Sequence, residues 1–452
     1  MDFSPFMVVI GRNAAGKSNL FDAMQFLRLI AGEPLLEATP HMRGDLAELF
    51  HRRVDGSQAR QMSFAVEVLL DRTVTDAFGD EQEITHSRLR YEVGLELRGS
   101  PERGERPFVT TESARLIRQR DDAWVQERFN TKQRNNLARY SGRSTDLLTT
   151  RSDQHGRPAF QLNQDRKQGR PRYLPAHEAT ATVLSSLTTA TEFPHLYALK
   201  RELQSWRLLH LDPAALREPN SYDDPDTLAP NGAHLANTLY RIVSTTRTQD
   251  RPEGVLTDLI ADLVRIVPEV SGFAVTDDRS RRQRQIEVST RDGAPFTARV
   301  ASDGTLRAIA LMTALYDPVG SGLICFEEPE NGIFPKRIVP FVTTLRDLVR
   351  RRLAARLDGG TAPLAQLVVS SHSPAILAVR SDQSGMPAHR QVRDDAVFLD
   401  TLAYIDHRGP KSRVTRLRRI AATDQPVLGE AIGSVVSPAE IAEFEVRDRL
   451  AG

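Results

Sequence analysis

The sequence predicts an α/β protein in which a mostly parallel sheet is joined to an antiparallel meander and a helical lobe. Three observations carry this. Residues 6–30 read as a strand, a glycine-rich turn and a helix. Residues 62–118 contain runs that alternate apolar and polar side chains, as half-buried strands do. From residue 304 onward, apolar strands alternate with helices, the pattern that builds a parallel sheet.

The apolar run 6–10 is a short buried strand, and the turn over 11–16 is rich in glycine and alanine. Leu20, Met24, Leu27 and Ile30 then recur at helical spacing. Strands are predicted over 62–70, 88–97 and 108–118. Between 115 and 172 there are 14 Lys/Arg against six Asp/Glu, many Gln, Asn, Ser and Thr, and little periodicity, which predicts a loop-rich basic insertion. Helices are predicted over 193–209, 233–244 and 255–267. Strands over 273–275 and 285–288 flank a basic turn from Arg279 to Arg284. The last third reads as a helix over 304–315, a strand over 323–326, a helix over 337–357, a strand over 366–370, a helix over 374–379 and a strand near 396–399. No internal repeat or sustained heptad pattern is present, which excludes long coiled-coil arms.

Composition narrows the class. The 452 residues carry 60 Lys+Arg against 59 Asp+Glu, a net charge of +1, which excludes a globally basic coating protein and a highly charged disordered chain. A single cysteine excludes an internal disulfide framework. No apolar run approaches the ~18 residues of a membrane span, and the first residues lack a basic leader, so a soluble cytoplasmic protein without membrane contact is expected. Only six of the basic residues are lysines.

One of those six is Lys17, inside Gly11-Arg12-Asn13-Ala14-Ala15-Gly16-Lys17-Ser18, which fits G-x-x-x-x-G-K-[ST] between a strand and a helix. Such a turn lets main-chain N–H groups converge on phosphate oxygens at a helix N-terminus. Lys17 is expected in an exposed loop, reaching the β- and γ-phosphates, and the Ser18 hydroxyl is expected on Mg2+. The strand over 323–326 ends in Glu327 and Glu328, an arrangement that suits a hydrated Mg2+ and an attacking water beside a triphosphate. His372 follows the next strand, where it can face the ligand crevice of a parallel sheet. Ser302-Asp303-Gly304-Thr305 opens the helix ahead of the acidic strand, with Ser302 and the N–H groups of Gly304 and Thr305 forming an anion-binding cap.

In this order the four motifs resemble the P-loop NTPase heads of ABC-type ATPases of the RecF/SMC class. The likeness is nearest to the small bacterial RecF-like AAA (AAA_21-like) ATPases, a group that includes the ATPase parts of overcoming-lysogenization-defect nucleases. Asn19 to Ala23 is typical of the group, Ser302-Asp303-Gly304 matches its signature, and residues 329–335 match its D-loop segment. Trp206 and Leu211-Asp212-Pro213 look like its linking segment. The resemblance implies ATP and Mg2+ as ligands. Gly11, Arg12, Asn13, Ala14, Ala15, Gly16, Lys17, Ser18, Asn19, Ser302, Asp303 and Gly304 would contact ATP, while Ser18, Glu327 and a Q-loop residue, Gln61, would hold the metal. Glu328, His372 and Lys17 would carry catalysis. It divides the chain into an ATPase lobe over 1–118, the basic insertion over 119–190, a helical linking lobe over 191–300 and a second ATPase lobe over 301–452.

Glu327 stands where most ABC ATPases have Asp, and Asp303 replaces a glycine of the transporter signature, which argues against a transporter. The group has a further strand before the P-loop strand that this chain starts too late to supply in full, so either the native start lies upstream or the sheet edge is expected to be incomplete. No toprim framework follows His372, and no Cys/His metal spacing occurs. The expected function is an ATP-hydrolysing switch that dimerises head to tail, in DNA repair or phage defence. One alternative is a sensor that binds DNA or RNA, suggested by the basic insertion, Arg279 to Arg284, and Arg413, Arg416, Arg418 and Arg419; another is a scaffold for a separately encoded nuclease.

Overall fold

The computed structural model describes residues 3–100, 104–153, 155–165, 170–318, 322–329, 331–333, 335–360, 364–372, 376, 395–405, 411–420, 435–437 and 440. Strand β1 (Phe6–Gly11) is buried throughout and leads through the glycine-rich turn into α1 (Lys17–Ile30). After the short α2 (Leu35–Ala38) come β2 (Gln61–Leu69), the small hairpin β3 (Thr73–Thr75) and β4 (Glu81–Glu83), and the long hairpin β5 (Arg88–Ser100) and β6 (Gly104–Leu116).

The stretch expected to be loop-rich is ordered into elements. It contains α3 (Ala123–Arg128), α4 (Thr131–Leu137), β7 (Leu148–Ser152), β8 (Pro158–Leu162) and β9 (Arg172–Pro175). These strands extend the meander into a six-stranded antiparallel sheet, ordered β2-β5-β6-β7-β8-β9. Each added strand is only four or five residues long, β9 is largely exposed and β7 is exposed at its last two residues. The pattern is therefore too short and too polar to register as periodicity, although Leu148, Phe160 and Leu162 are buried.

Next come α5 (Val183–Ser186), α6 (Pro194–Ser205) and β10 (Arg207–Leu209). The helix expected to run to 209 stops at Ser205. Trp206 turns extended and buries its ring, and the following residues become an edge strand of the main sheet. A helical region follows, with α7 (Pro213–Arg217), β11 (Asn220–Ser221), α8 (Leu235–Thr246), α9 (Leu256–Ile266), β12 (Val270–Asp278), β13 (Gln283–Thr290) and β14 (Phe296–Thr297). The chain then supplies α10 (Asp303–Tyr316), β15 (Gly322–Glu327), α11 (Pro335–Leu357), β16 (Ala365–Ser371), β17 (Ala396–Ile405), β18 (Lys411–Ile420) and β19 (Val435–Val436). Of the helix expected over 374–379, only residue 376 lies within the described residues.

The main sheet is ordered β10-β15-β16-β1-β17-β18-β19, parallel from β10 to β17, with β18 antiparallel to β17. The P-loop strand β1 is paired on both sides, by β16 and β17, so the expected gap does not border it. Both faces are covered, which explains why its strands read as continuous apolar runs. Phe6, Val8 and Ile10 join one core with α8 to α11, while Met7 and Val9 join the other with α1 and the meander. Ile324 and Phe326 against Leu323 and Cys325 repeat this alternation. Among the described residues, no helix is long and apolar enough to cross a membrane.

Candidate functional site

The strand order puts β15, β16 and β1 side by side and parallel, so the acidic strand end, the histidine and the glycine-rich turn meet at one edge of the sheet. Topology gathers there what sequence scatters over more than 350 residues.

In the turn, Ala14 and Gly16 are left-handed, with φ of 62° and 95°. Such residues collect main-chain N–H groups into a concavity that suits an anion. Gly16 gives α1 no side-chain cap, and the positive end of the helix dipole points at the turn. A side chain at Gly16 would also collide with Thr415 of β18. Lys17 is not the exposed residue expected. It is buried, and its ammonium donates to the carbonyls of Gly11 at 2.7 Å and Arg12 at 3.1 Å. The close-packed loop, tied down by β17 and β18, folds over the lysine stem. Arg12, Asn13, Ala14 and Asn19 are exposed on the rim, Ala15 is buried and Ser18 is half-buried.

Glu327 and Glu328 differ sharply. Glu327 is buried. Its Oε2 accepts from the Arg43 guanidinium at 3.2 Å and lies 3.3 Å from His210 Nδ1. Its Oε1 is buried without a hydrogen-bond partner. Arg43 also lies 3.5 Å from Asp22, whose carboxyl is raised above the usual range, first by burial and then by the Glu327 charge, with Arg43 opposing. This carboxylate with one open oxygen, near the Asp22 carboxyl and on the same sheet edge as the Ser18 hydroxyl, is a hard oxygen donor set that fits Mg2+.

Glu328 lies just past β15 with φ 48°, a left-handed backbone that costs a non-glycine residue about 1 kcal/mol or more. It is held there by its N–H to Ser370 O at 2.9 Å and by Asn331, whose N–H donates to the Glu328 carbonyl at 3.0 Å and whose side-chain amide donates to Oε2 at 2.7 Å. His372 Nδ1 stands 3.6 Å from Oε1.

At the start of α10, Ser302 Oγ accepts from the Thr305 N–H at 3.2 Å, so that donor, expected to be open, is already engaged. Asp303 pairs with Arg217. Gly304 packs so closely on the Gly332 carbonyl that a Cβ would not fit, and Arg307 donates to Asn331 O at 2.8 Å. The signature turn is thus built onto the segment that positions Glu328. Gln61 opens β2 on an exposed position, opposite Glu96.

Arg43 and His210 escape sequence reading, since neither sits in a motif and Arg43 is 284 residues from its partner. Asp22 was findable, one helical turn beyond Ser18 on the same face.

Residues 6–378 match the AAA_21 family, described as "AAA domain, putative AbiEii toxin, Type IV TA system". The chain belongs to this family. It is therefore an AAA-type P-loop ATPase by descent, with an α/β fold and a nucleotide as its family ligand. Among solved structures it is similar to a crystal structure of an Smc head bound to the C-winged-helix domain of ScpA, at 11% identity, 92% of each chain and a TM-score of 0.41. It is also similar to the Pyrococcus furiosus Smc head with an extended coiled coil bound to the C-terminal domain of ScpA, at 10% identity, 92% of this chain, 91% of that one and a TM-score of 0.39. A third likeness is to the Thermotoga maritima SMC head domain, at 9% identity, 92% and 91% coverage and a TM-score of 0.33. No curated protein matches the chain.

Proposed function

We propose that this AAA_21 protein binds and hydrolyses ATP as a switch, two copies closing head to tail around the nucleotide. In this reading residues Gly11 to Asn19 cradle the phosphates, and Lys17 turns from the Gly11 and Arg12 carbonyls to the phosphate oxygens. Ser18 and Glu327 hold Mg2+, which when bound neutralises phosphate charge. Glu328 takes the proton of the attacking water and His372 steadies it. Ser302, Asp303 and Gly304 of the second copy close the site, so hydrolysis there reaches the D-loop segment through Gly332.

The observation that carries the reading is the approach of His372 to Glu328 at 3.6 Å, on the ends of two adjacent strands, one of which pairs with the P-loop strand. A left-handed residue held by Ser370 and Asn331, with a histidine beside its carboxylate, is more than a solvated strand end needs. The reading also sets the switch in the cytoplasm, in phage defence or DNA repair, governing a separately encoded nuclease. The toxin–antitoxin wording of the family description supports the defence setting.

Phosphate release from ATP with Mg2+ tests the reading. Glu328→Gln is expected to lower turnover by about 10²–10⁴-fold, the usual worth of a positioned general base, while nucleotide affinity is kept. Equal turnover of variant and parent refutes it.

A further inference from the structure

The basic residues that the site does not use fall into three groups, and the structure separates them. On the β12–β13 hairpin, Arg281 pairs with Asp278 and Arg282 with Asp223, while Arg284 is stacked between Tyr222 and Tyr240 and lies 3.3 Å from Asp277. On β18, Arg416 is bidentate with Asp400, and Arg418 bonds Asp400 and Glu440. Arg416, Arg418 and Arg284 are engaged within the fold, while Arg281 and Arg282 stay exposed on the hairpin, each beside a carboxylate.

The third group is different. A groove of about 740 Å3 lies between the β6–α3 connection and the α4–β7 loop. Arg118, Arg120, Arg134 and Arg143 line it, together with Gln119, Gln126, Tyr140, Ser141 and Ser144, and no carboxylate is among the lining residues. Arg143 and Arg134 are fixed as walls: Arg143 by Asp165, Asn163 O and Thr145 O, and Arg134 by the carbonyls of Phe129 and Gln126. Arg118 and Arg120 stand exposed at the rim, the latter 3.6 Å from the equally exposed Asp121. Gly142 faces open space.

We propose that this groove binds the phosphodiester backbone of a single-stranded nucleic acid. The exposed Arg118 and Arg120 guanidinium groups, with the Arg134 charge behind them and amide and hydroxyl donors between, match a row of phosphate oxygens, while Arg143, paired with Asp165, shapes the wall. The groove is an open channel and not a closed slot, so it suits a chain passing through it. The Tyr140 hydroxyl is already committed to Asp122 and the Tyr140 ring packs edge-on against His86. Base identity is therefore left unread, and binding is sequence-tolerant and salt-sensitive. The inference stands on the groove alone and does not depend on ATP turnover.

The test is fluorescence anisotropy of the full-length chain with labelled oligothymidylate of about 20 nucleotides, titrated across salt. The parent is expected to bind at about 50 mM salt, with affinity falling steeply as salt rises. Arg118→Glu/Arg120→Glu is expected to weaken binding at least about tenfold. The milder Arg118→Gln/Arg120→Gln should cut the slope of log K on log salt by about 1.4, two contacts' worth on a single strand. Arg281→Glu/Arg282→Glu should bind as the parent does. The proposal is overturned if the parent does not bind, if both groove variants bind like the parent, or if the hairpin variant loses as much. A duplex of the same length that competes equally overturns the single-strand assignment.

Discussion

His372 Nδ1 lies 3.6 Å from Glu328 Oε1, linking the ends of two adjacent parallel strands. Asn331 already holds Oε2 at 2.7 Å, and His372 flanks the other carboxylate oxygen. His372→Ala is therefore expected to lower kcat at least about tenfold, with ATP affinity within about threefold of the parent. Steady-state phosphate release and titration calorimetry separate the two. A loss confined to affinity would make His372 a binding residue only.

Lys17 is held by two carbonyls of its own loop, so the nucleotide-free loop is arranged around its charge. Lys17→Ala should retain the fold, because water can serve those carbonyls, yet lose at least about tenfold in ATP affinity. Lys17→Arg should not rescue it, since a planar guanidinium does not fit where a point charge is enclosed. Calorimetry with a far-UV melting curve checks both parts.

Gly304 leaves no room for a Cβ beside the Gly332 carbonyl. Gly304→Ala must displace the segment carrying Asn331, which holds Glu328. Turnover is expected to fall at least about tenfold with monomer nucleotide binding intact. Gly272→Ala, where a Cβ meets only ordinary contact with Ile260, should behave as the parent. Equal turnover of the two variants would separate the signature turn from Glu328.

Stability should carry a pH signature far from the site. Glu112 is fully buried. Burial pushes its carboxyl up to about 7, against the Val183 and Leu184 N–H groups and the Tyr91 hydroxyl, which favour its charge. Between the model-peptide value of 4.5 and about 7, the folded chain keeps a proton that the unfolded chain has released. This group's contribution to stability therefore falls as pH rises through that window and is flat above it. Glu112→Gln can place its carbonyl on Val183 and its amide on the Tyr91 oxygen. It should flatten the dependence of Tm on pH across the window, leaving the share of Glu202, whose carboxyl burial also pushes up to about 7. Parallel melting profiles for parent and variant would show that Glu112 does not titrate there.

Much of the strand-end cluster was legible because its signals are local. A strand, a glycine turn and a lysine, or an apolar run ending in two acids, each sit within about a dozen residues. What stayed hidden depends on distant contacts. β10 follows a helix whose apolar spacing runs on through residue 209, and only the burial of Trp206 and pairing with β15 end it. β7 to β9 are short strands gaining order from β6, which no local pattern announces. Arg43 reaches Glu327 across 284 residues, and the glycine turn beside Lys17 packs against Leu399 of β17 and Thr415 of β18, nearly 400 residues away in sequence.

Size-exclusion chromatography of Glu328→Gln with ATP and Mg2+ tests the head-to-tail switch most directly. Gln keeps the shape and the Asn331 contact of Glu328 but cannot take a proton, so the ATP-bound state accumulates. The expected result is a dimer with ATP, a monomer without it, and a monomer with ATP when Ser302→Arg is added, because a bulky cation then blocks the facing contact. A Glu328→Gln protein that binds ATP and stays monomeric, or a dimer indifferent to Ser302→Arg, would contradict it.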